Sequence, residues 1–383
     1  MSMRAASIVI GGGLAGSMAA LQLARAGRDV VLLEQTKEAH DKICGDFLSR
    51  ETLQYLEGAG VDVPSLGGVP IRSVRLITPW FERERPLPFP ACSLTRRVLD
   101  EQMLCLAAKA AVQVERGACV KALVRDGGAW SANLRDGRSF RAEDAMLATG
   151  KLDVHGLARP AGKQEDLVGF KMYFRLTDRE QRSLGNAVEL ILFPGGYAGL
   201  QPVESGVANL CLLIHSRVLR SIGSHWNDVL EHILRHAPHL RARLESAMTM
   251  LPKPLAASQI PYGHLQRFTQ DGLWRVGDQA AVIPSFCGDG MAIALHSGAL
   301  AASYLTRGMS SNSYQQQLRG QLASRMWLAT RTSQLLVSVP QAAQVARVFP
   351  ALLRTFASYT RVPEQALVSV LDGFPEPRCG GAA

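Results

Sequence analysis

The sequence predicts an α/β fold in which a nucleotide-binding domain interlaces with a β-sheet domain and ends in a helical C-terminal region. Three observations carry this expectation. A strand, a glycine loop, a helix and a second strand open the chain within about thirty residues. A second glycine-rich loop at 277–291 stands between an apolar run and a small-residue helix. Between them, residues 165–265 alternate short apolar runs with turn residues, as an antiparallel sheet does. With 47% hydrophobic and 20% charged residues in 383, the composition is that of a packed chain and excludes disordered and collagen-like classes.

The first unit is Ser7-Ile8-Val9-Ile10, then Gly11-Gly12-Gly13-Leu14-Ala15-Gly16, then a helical stretch from Ser17 to Ala26 stopped by Gly27. Asp29 to Leu33 forms the second strand, ending at Glu34 and Gln35. Gly11 permits a tight turn, Gly13 lets backbone approach a pyrophosphate, and Gly16 allows close helix–strand packing. Leu14 and Ala15 sit at the helix N-terminus, whose N–H groups favour an anion. Glu34 stands where a carboxylate can accept ribose hydroxyls.

Further along, Leu273 to Val276 runs into Gly277-Asp278, and ten residues beyond Asp278 the string Gly288-Asp289-Gly290-Met291 opens a helix from Ala292 to Leu305. Arg96-x-x-Leu99-Asp100 opens another helix (Val98 to Ala111), Val120 lies in the strand after Gly117, and Ala148-Thr149-Gly150 closes a strand. In this order the elements resemble the flavoprotein superfamily of aromatic hydroxylases, geranylgeranyl reductases and electron-transfer-flavoprotein dehydrogenases. The resemblance implies a Rossmann-like FAD-binding domain of p-hydroxybenzoate-hydroxylase-like architecture. It implies that Asp278 binds the ribityl chain, that Arg96 reaches the pyrophosphate or ring edge, and that the backbone at Val120 meets the adenine. It also implies that Gly288 and Gly290 lie under the flavin ring, with Pro284 one position earlier than is usual. Thr149, Gly150, Gly277, Asp289 and Met291 complete the expected FAD contacts.

Asp41-Lys42-Ile43-Cys44-Gly45-Asp46-Phe47-Leu48-Ser49 resembles the C-G-x-x-L-S segment of geranylgeranyl-reductase-like proteins, which passes beside the isoalloxazine. Cys44 and Asp46 are therefore the catalytic candidates, and Cys44 and Gly45 are expected cofactor contacts. A cysteine there could tune the flavin or line the substrate cavity, and an aspartate could manage protons. In the middle segment, strands are expected at Phe170–Leu176, Val188–Phe193 and Ala208–Ile214, with a turn at Pro194–Gly199. Reductase members often read G-Y-x-W-x-F-P where this chain has Gly196-Tyr197-Ala198-Gly199-Leu200-Gln201-Pro202. Tyr197, Gly199 and Gln201 are the candidate substrate-pocket residues. Two bulky rings lost from a wall open space and change polarity, which argues against isoprenoid reduction.

The favoured reading is FAD-dependent monooxygenation of a hydrophobic aromatic or polyketide-like substrate, free or carried on a lipid or protein. The alternatives are a reductase saturating prenyl-type double bonds and a non-enzymatic FAD-binding partner protein. No second G-x-G-x-x-G follows a strand, so NAD(P)H is expected only as a transient reductant. His232 and His236 stand in H-I-L-R-H rather than H-E-x-x-H, on a helix expected at Asn227–Ala237; they read as helix-surface residues, and no metal is expected. Seven cysteines without a C-x-x-C pair indicate reduced thiols and a cytoplasmic setting.

Net charge is +9, and Arg307 to Pro363 holds seven arginines with no Asp or Glu. This segment is expected to present a basic amphipathic surface to an anionic membrane or an acidic partner, allowing peripheral membrane attachment. Nucleic acid is not expected, since no binding module is recognisable. The expected domains are 1–70, 93–160 and 266–310 for FAD, 71–92 and 161–265 for substrate, and 311–383 as the basic helical region over the substrate entrance.

Overall fold

Apolar runs without alternation belong at the centre of a parallel sheet, where helices cover both faces. Val30–Glu34 is such a run, buried at every position. A computed structural model describes residues 2–78, 80–338 and 359–374. The chain begins β1 (Ser2–Ile10), α1 (Leu14–Arg25), β2 (Val30–Glu34), β3 (Phe47–Leu48), α2 (Arg50–Ala59), β4 (Val69–Ile77), β5 (Glu82–Ser93) and α3 (Arg96–Lys109). It continues β6 (Gln113–Arg116), β7 (Val120–Asp126), β8 (Ala129–Leu134), β9 (Ser139–Leu147), β10 (Leu167–Arg175), α4 (Asp178–Leu184), β11 (Ala187–Phe193), β12 (Gly196–Val203) and β13 (Val207–His215). Helices α5 (Ser216–Ile222), α6 (Trp226–His236) and α7 (Pro238–Leu244) follow. The remainder is β14 (Met248–Thr249), β15 (Leu255–Ala257), β16 (Leu273–Arg275), α8 (Gly290–Thr306), α9 (Ser311–Ser338) and α10 (Glu364–Leu371).

A seven-stranded sheet has the order β6-β2-β1-β9-β8-β7, with β16 also pairing β9. Its central pairs are parallel, and β1 lies between β2 and β9 with Ile10 opposite Leu33 and Leu147. Helices α1 and α8 approach each other so closely that a Cβ at Gly298 would sit 2.3 Å from the Ala15 carbonyl oxygen. The small residues of both helices permit that approach, which brings the loops that follow β1 and β16 together.

A nine-stranded sheet has the order β14-β10-β13-β12-β11-β4-β5-β3, with β15 on β10. It is mixed rather than antiparallel throughout, because β4 runs parallel to β11. Two boundaries differ from expectation. β3 at 47–48 belongs to this sheet through β5, although it lies within the first expected FAD segment, and β4 starts at Val69. The turn expected over Pro194–Gly199 occupies only Pro194 and Gly195, since β12 begins at Gly196 and pairs with both β11 and β13.

Alternate residues of this sheet bury in opposite directions. Phe170, Met172, Ile191, Ala198, Leu210 and Leu212 pack with residues of α5–α7. There His232 is a packing residue rather than a surface one: its ring meets Phe193 edge-on at 5.9 Å, and Nε2 donates to the Pro194 carbonyl at 3.0 Å.

The C-terminal region is no detached basic unit. Tyr314, Leu318, Leu322 and Met326 of α9, and Leu367 and Val370 of α10, join the same core as α1 and α8. Of the seven arginines, Arg361 is buried, and Arg325 packs over the ring of Tyr359 at 5.3 Å. Arg347 and Arg354 lie outside the described residues. Among the described residues, no helix is long and apolar enough to cross a membrane.

Candidate functional site

Gly11 and Gly16 are fixed by geometry. A Cβ at Gly11 (φ +106) would lie 2.4 Å from the Ala148 carbonyl oxygen, and one at Gly16 only 2.0 Å from that of Gly11. Gly13 is different, because its bare side faces cations: Arg96 Nη2 and Lys42 Nζ stand 3.6 and 3.7 Å from where its Cβ would be. Both cations converge on Asp100, Lys42 at 2.7 Å and Arg96 through Nε and Nη2 at 2.8 and 3.0 Å. This pairing holds the buried Asp100 carboxyl below the usual carboxylate range, even though burial opposes it. A Gly-rich loop opening α1 beneath two fixed cations has the chemistry to cradle a pyrophosphate.

Glu34 ends β2 and accepts from the Gly12 N–H at 2.7 Å and from the Thr36 N–H and hydroxyl at 2.9 and 2.8 Å. These bonds keep its carboxyl low against the opposing effect of burial. Glu34, Thr36, Lys42 and Arg116 line a narrow cleft beside Gly12. Gln35 is exposed beside Glu34, and Val120 packs into the cluster under β7–β9 rather than lining that cleft. Leu14 and Ala15 are buried in the first turn of α1.

At the second loop, Gly277 (φ +59) lies against Ala15, and its N–H donates to Ser297 Oγ at 2.8 Å. The half-buried Asp278 makes no side-chain hydrogen bond among the described residues and so presents a free carboxylate to a polyol. A Cβ at Gly45, Gly150 or Gly290 would meet nothing within 4 Å, so all three border open space. Thr149 precedes Gly150 with its hydroxyl on the Leu152 carbonyl at 2.5 Å. Phe47 covers Gly288, and Met291 is buried inside α8. A glycine loop beneath two cations, a carboxylate at the end of β2, a second free carboxylate and open glycine faces together fit FAD.

Segment 42–46 crosses from this cradle to the nine-stranded sheet, and the sheet clamps it. Asp46 is fully buried with φ +58, a strained backbone for a non-glycine residue. Its Oδ2 accepts from Lys171 Nζ at 2.6 Å, Tyr173 Oη at 2.8 Å and Asn209 Nδ2 at 2.9 Å. Lys171 also donates to the Lys42 carbonyl, and Asn209 to the Cys44 carbonyl, each at 3.1 Å. Burial still pushes the Asp46 carboxyl above its ordinary range. Cys44 is half-buried, and its Sγ accepts from the Asp46 N–H at 3.4 Å.

The three pocket candidates lie at alternate positions of β12, on the sheet face opposite α5–α7. Strand register arranges that face in rows: Tyr173, Asn209 and Gln201; then Lys171, Cys211, Gly199 and Leu190; then Gly169, Leu213, Tyr197 and Leu192. The first row is polar, and Asp46 is bonded to its Tyr173 and Asn209. The last row joins an apolar cluster with Ile260, Tyr262, Val282, Phe286 and Val337. The middle row is low at Gly199, where a Cβ would meet nothing nearer than the Cys211 carbonyl oxygen at 3.9 Å. Gly199, Cys211 and Leu190 of the middle row are half-exposed while both flanking rows are buried, so the middle row is the floor of a trough between a polar and an apolar row. Phe286 meets Tyr197 edge-on at 5.9 Å and belongs to the loop carrying Gly288, while Asp46 belongs to the segment carrying Cys44. The two loops that flank the cofactor locus therefore supply the two walls.

Asp289 is held by its own network. It is fully buried, with Oδ1 3.3 Å from Arg361 Nη1, and the same nitrogen donates to the buried Glu51 at 2.8 Å. The Arg361 guanidinium also covers the Phe89 ring at 3.6 Å. Two carboxylates share one cation, and burial pushes Asp289 up to about 7. The folded state then holds a proton that the unfolded chain releases near its ordinary carboxylate value, so stability falls as pH rises from about 4 to about 7. We expect Asp289→Asn to raise the apparent melting temperature by several degrees at pH 8 and by less than half as much at pH 5. A shift of about 3 pH units sets a ceiling of about 4 kcal/mol. Identical melting curves for the two proteins at pH 8, by scanning fluorimetry, would contradict this.

The sequence reading did not single out Lys42, Thr36, Lys171, Tyr173, Asn209 or Arg361. Lys171 carried a signal, standing alone in the apolar string Phe170-Lys171-Met172-Tyr173-Phe174. A lysine at the centre of a buried strand needs a partner.

Residues 4–144 match the family described as an FAD binding domain. The chain is 26% identical to the menaquinone reductase of Mycolicibacterium smegmatis over 90% of its length and 87% of the relative's. It is 27% identical to digeranylgeranylglycerophospholipid reductase 2 of Methanopyrus kandleri over 77% of its length and 75% of the relative's. Among solved structures, P. aeruginosa PqsL in complex with 2-aminobenzoylacetate superposes with a TM-score of 0.72 at 19% identity, covering 93% of this chain and 99% of that one. The chain carries an FAD binding domain and is similar over three quarters or more of its length to menaquinone and digeranylgeranylglycerophospholipid reductases; it is an FAD-dependent oxidoreductase.

Proposed function

We propose that the enzyme hydroxylates a hydrophobic, ring-bearing small molecule, using molecular oxygen and a transiently bound NAD(P)H. The observation that carries this reading is the trough over Gly199, with an aromatic wall at Tyr197 and Phe286 and buried polar groups at Gln201 and Asn209. An alkene site needs only apolar walls, whereas unpaired buried polar groups favour an oxygen-bearing ligand.

The cofactor would be held by Gly13, Glu34, Arg96 and Asp278, and when bound it supplies two-electron transfer and oxygen activation. The chain's own residues do the rest. Tyr197, Tyr262 and Phe286 exclude water from one side, with Tyr262 fixed by its 2.9 Å contact to Ser285 Oγ. Lys171 and Asn209 fix the Cys44–Asp46 backbone. Asp46, whose carboxyl burial raises above its ordinary range, can accept a proton at Oδ1. The balance is substrate, O2, NAD(P)H and one proton giving hydroxylated substrate, water and NAD(P)+.

The test is oxygen uptake by the FAD-loaded enzyme with NADPH or NADH, with and without 4-hexylphenol. The expected result is uptake stimulated by the phenol and a product carrying one added oxygen atom. The names of the sequence relatives favour a second reading, reduction of a prenyl double bond. Anaerobic saturation of geranylgeraniol, with no phenol-stimulated oxygen uptake, would establish that reading and sink the first.

A further inference from the structure

Three buried side chains on the polar wall leave hydrogen-bonding atoms unused. Asn209 is 1% exposed, and its Nδ2 gives its bonds to the Cys44 carbonyl and Asp46 Oδ2. That fixes the amide orientation and leaves Oδ1 without a donor among the described residues. Asp46 gathers its three donors on Oδ2 and leaves Oδ1 without a donor among the described residues. Gln201, 2% exposed and directly across the strand pair from Asn209, has no acceptor for Nε2 among the described residues.

Buried polar atoms are almost always paired in a native fold, so three orphans on one wall mark a place where something else bonds. Their inventory is one donor, Gln201 Nε2, and two acceptors, Asn209 Oδ1 and Asp46 Oδ1. A hydroxyl group both donates and accepts, so a single oxygen can accept from Gln201 Nε2 and donate to Asn209 Oδ1 or Asp46 Oδ1. An ether oxygen only accepts, and a hydrocarbon does neither. Across the middle row lies the apolar wall, where the Tyr197 and Phe286 rings stand edge to face.

We infer that Gln201, Asn209 and Asp46 form a hydroxyl-binding subsite, and that the ligand class is an alkylated phenol seated with its ring between the polar row and the Tyr197–Phe286 wall. This rests on reading the trough as the substrate site, but it can fail independently of the hydroxylation chemistry. The required property is recognition of the hydroxyl in the ground state, which needs neither reductant nor oxygen.

The experiment is equilibrium titration of the FAD-loaded enzyme, followed by perturbation of the flavin absorption. The probes are 4-hexylphenol, 4-hexylanisole, hexylbenzene and 4-hexylcyclohexanol. The phenol is expected to bind about 10- to 100-fold more tightly than hexylbenzene, because the hydrocarbon leaves all three groups unpaired. The anisole should fall between them. The cyclohexanol should be weaker than the phenol, because it lacks the ring face that the aromatic wall accepts. Gln201→Met, close in volume, should cost the phenol about tenfold and leave hexylbenzene unchanged.

Equal affinity for phenol and hydrocarbon, no binding of the phenol, or an equal loss for both ligands in Gln201→Met would each overturn the subsite. Equal binding of phenol and cyclohexanol would overturn the aromatic part of the assignment. If the ranking holds while no oxygen is incorporated, hydroxylation fails and the subsite stands. If oxygen is incorporated without any ranking, the reverse is true.

Discussion

Arg96→Ala is expected to weaken FAD binding by about 10- to 100-fold while the protein stays folded. Arg96 is one of two cations facing the bare side of Gly13, and it is the more enclosed, with 16% side-chain exposure against 28% for Lys42. A charge-assisted hydrogen bond to a phosphate in such a setting contributes about 1.5–3 kcal/mol, and each 1.4 kcal/mol is a factor of ten. Asp100 keeps Lys42 at 2.7 Å in the variant, so its carboxylate is not stranded and the start of α3 should hold. Arg96→Lys should recover only part of the loss. The fork that spans both Asp100 oxygens cannot be reproduced by an ammonium, and a lysine bound to Asp100 no longer lies over Gly13 in the same way. The check is titration of apoprotein with FAD by quenching of flavin fluorescence. Unchanged affinity in Arg96→Ala would remove Arg96 from the cofactor site.

The cradle was legible in the sequence because its constraints are local. Gly11 and Gly16 leave no room for a Cβ, so backbone geometry itself writes the motif, and Glu34 follows at the end of the next strand. Asp278 was legible for the same reason, since a strand, a tight turn and a helix start fall within eighteen residues of one another. The clamp on Asp46 was not. Its partners Lys171, Tyr173 and Asn209 come from two strands more than a hundred residues away, and only strand register brings them under one carboxylate. Tyr197, Gly199 and Gln201 could be proposed from a departure from a family string, but the polar row they border could not be seen without the pairing of β12 with β13. The arginine-rich C-terminus misled in part. Charge counted along the sequence does not show that Arg361 turns inward to Glu51 and Asp289.

Gly199→Trp is expected to lower kcat/KM for a phenolic substrate by about 100-fold or more, with FAD content and melting temperature preserved. The backbone at Gly199 is extended, with no positive φ, so an L side chain fits the strand without strain, and tryptophan favours strands. The new ring would rise from the low middle row, between Asn209 and Gln201 on one side and Leu213 and Tyr197 on the other. A tryptophan covers about 150–250 Å² when it packs, enough to fill the place a substrate ring would take. Its Cβ would meet only the Cys211 carbonyl oxygen, at 3.9 Å, so the backbone accepts the substitution while the ring takes the ligand's seat. Gly199→Ala separates size from backbone effects, because one methyl group leaves most of the trough open and should cost less than tenfold. The same ring restores part of the G-Y-x-W-x-F-P string, so the variant also asks whether an apolar floor favours a prenyl chain. Improved binding of geranylgeraniol together with loss of 4-hexylphenol would show that residue 199 selects the substrate class. Full retention of phenol binding in Gly199→Trp would place the substrate elsewhere and remove the trough from the mechanism.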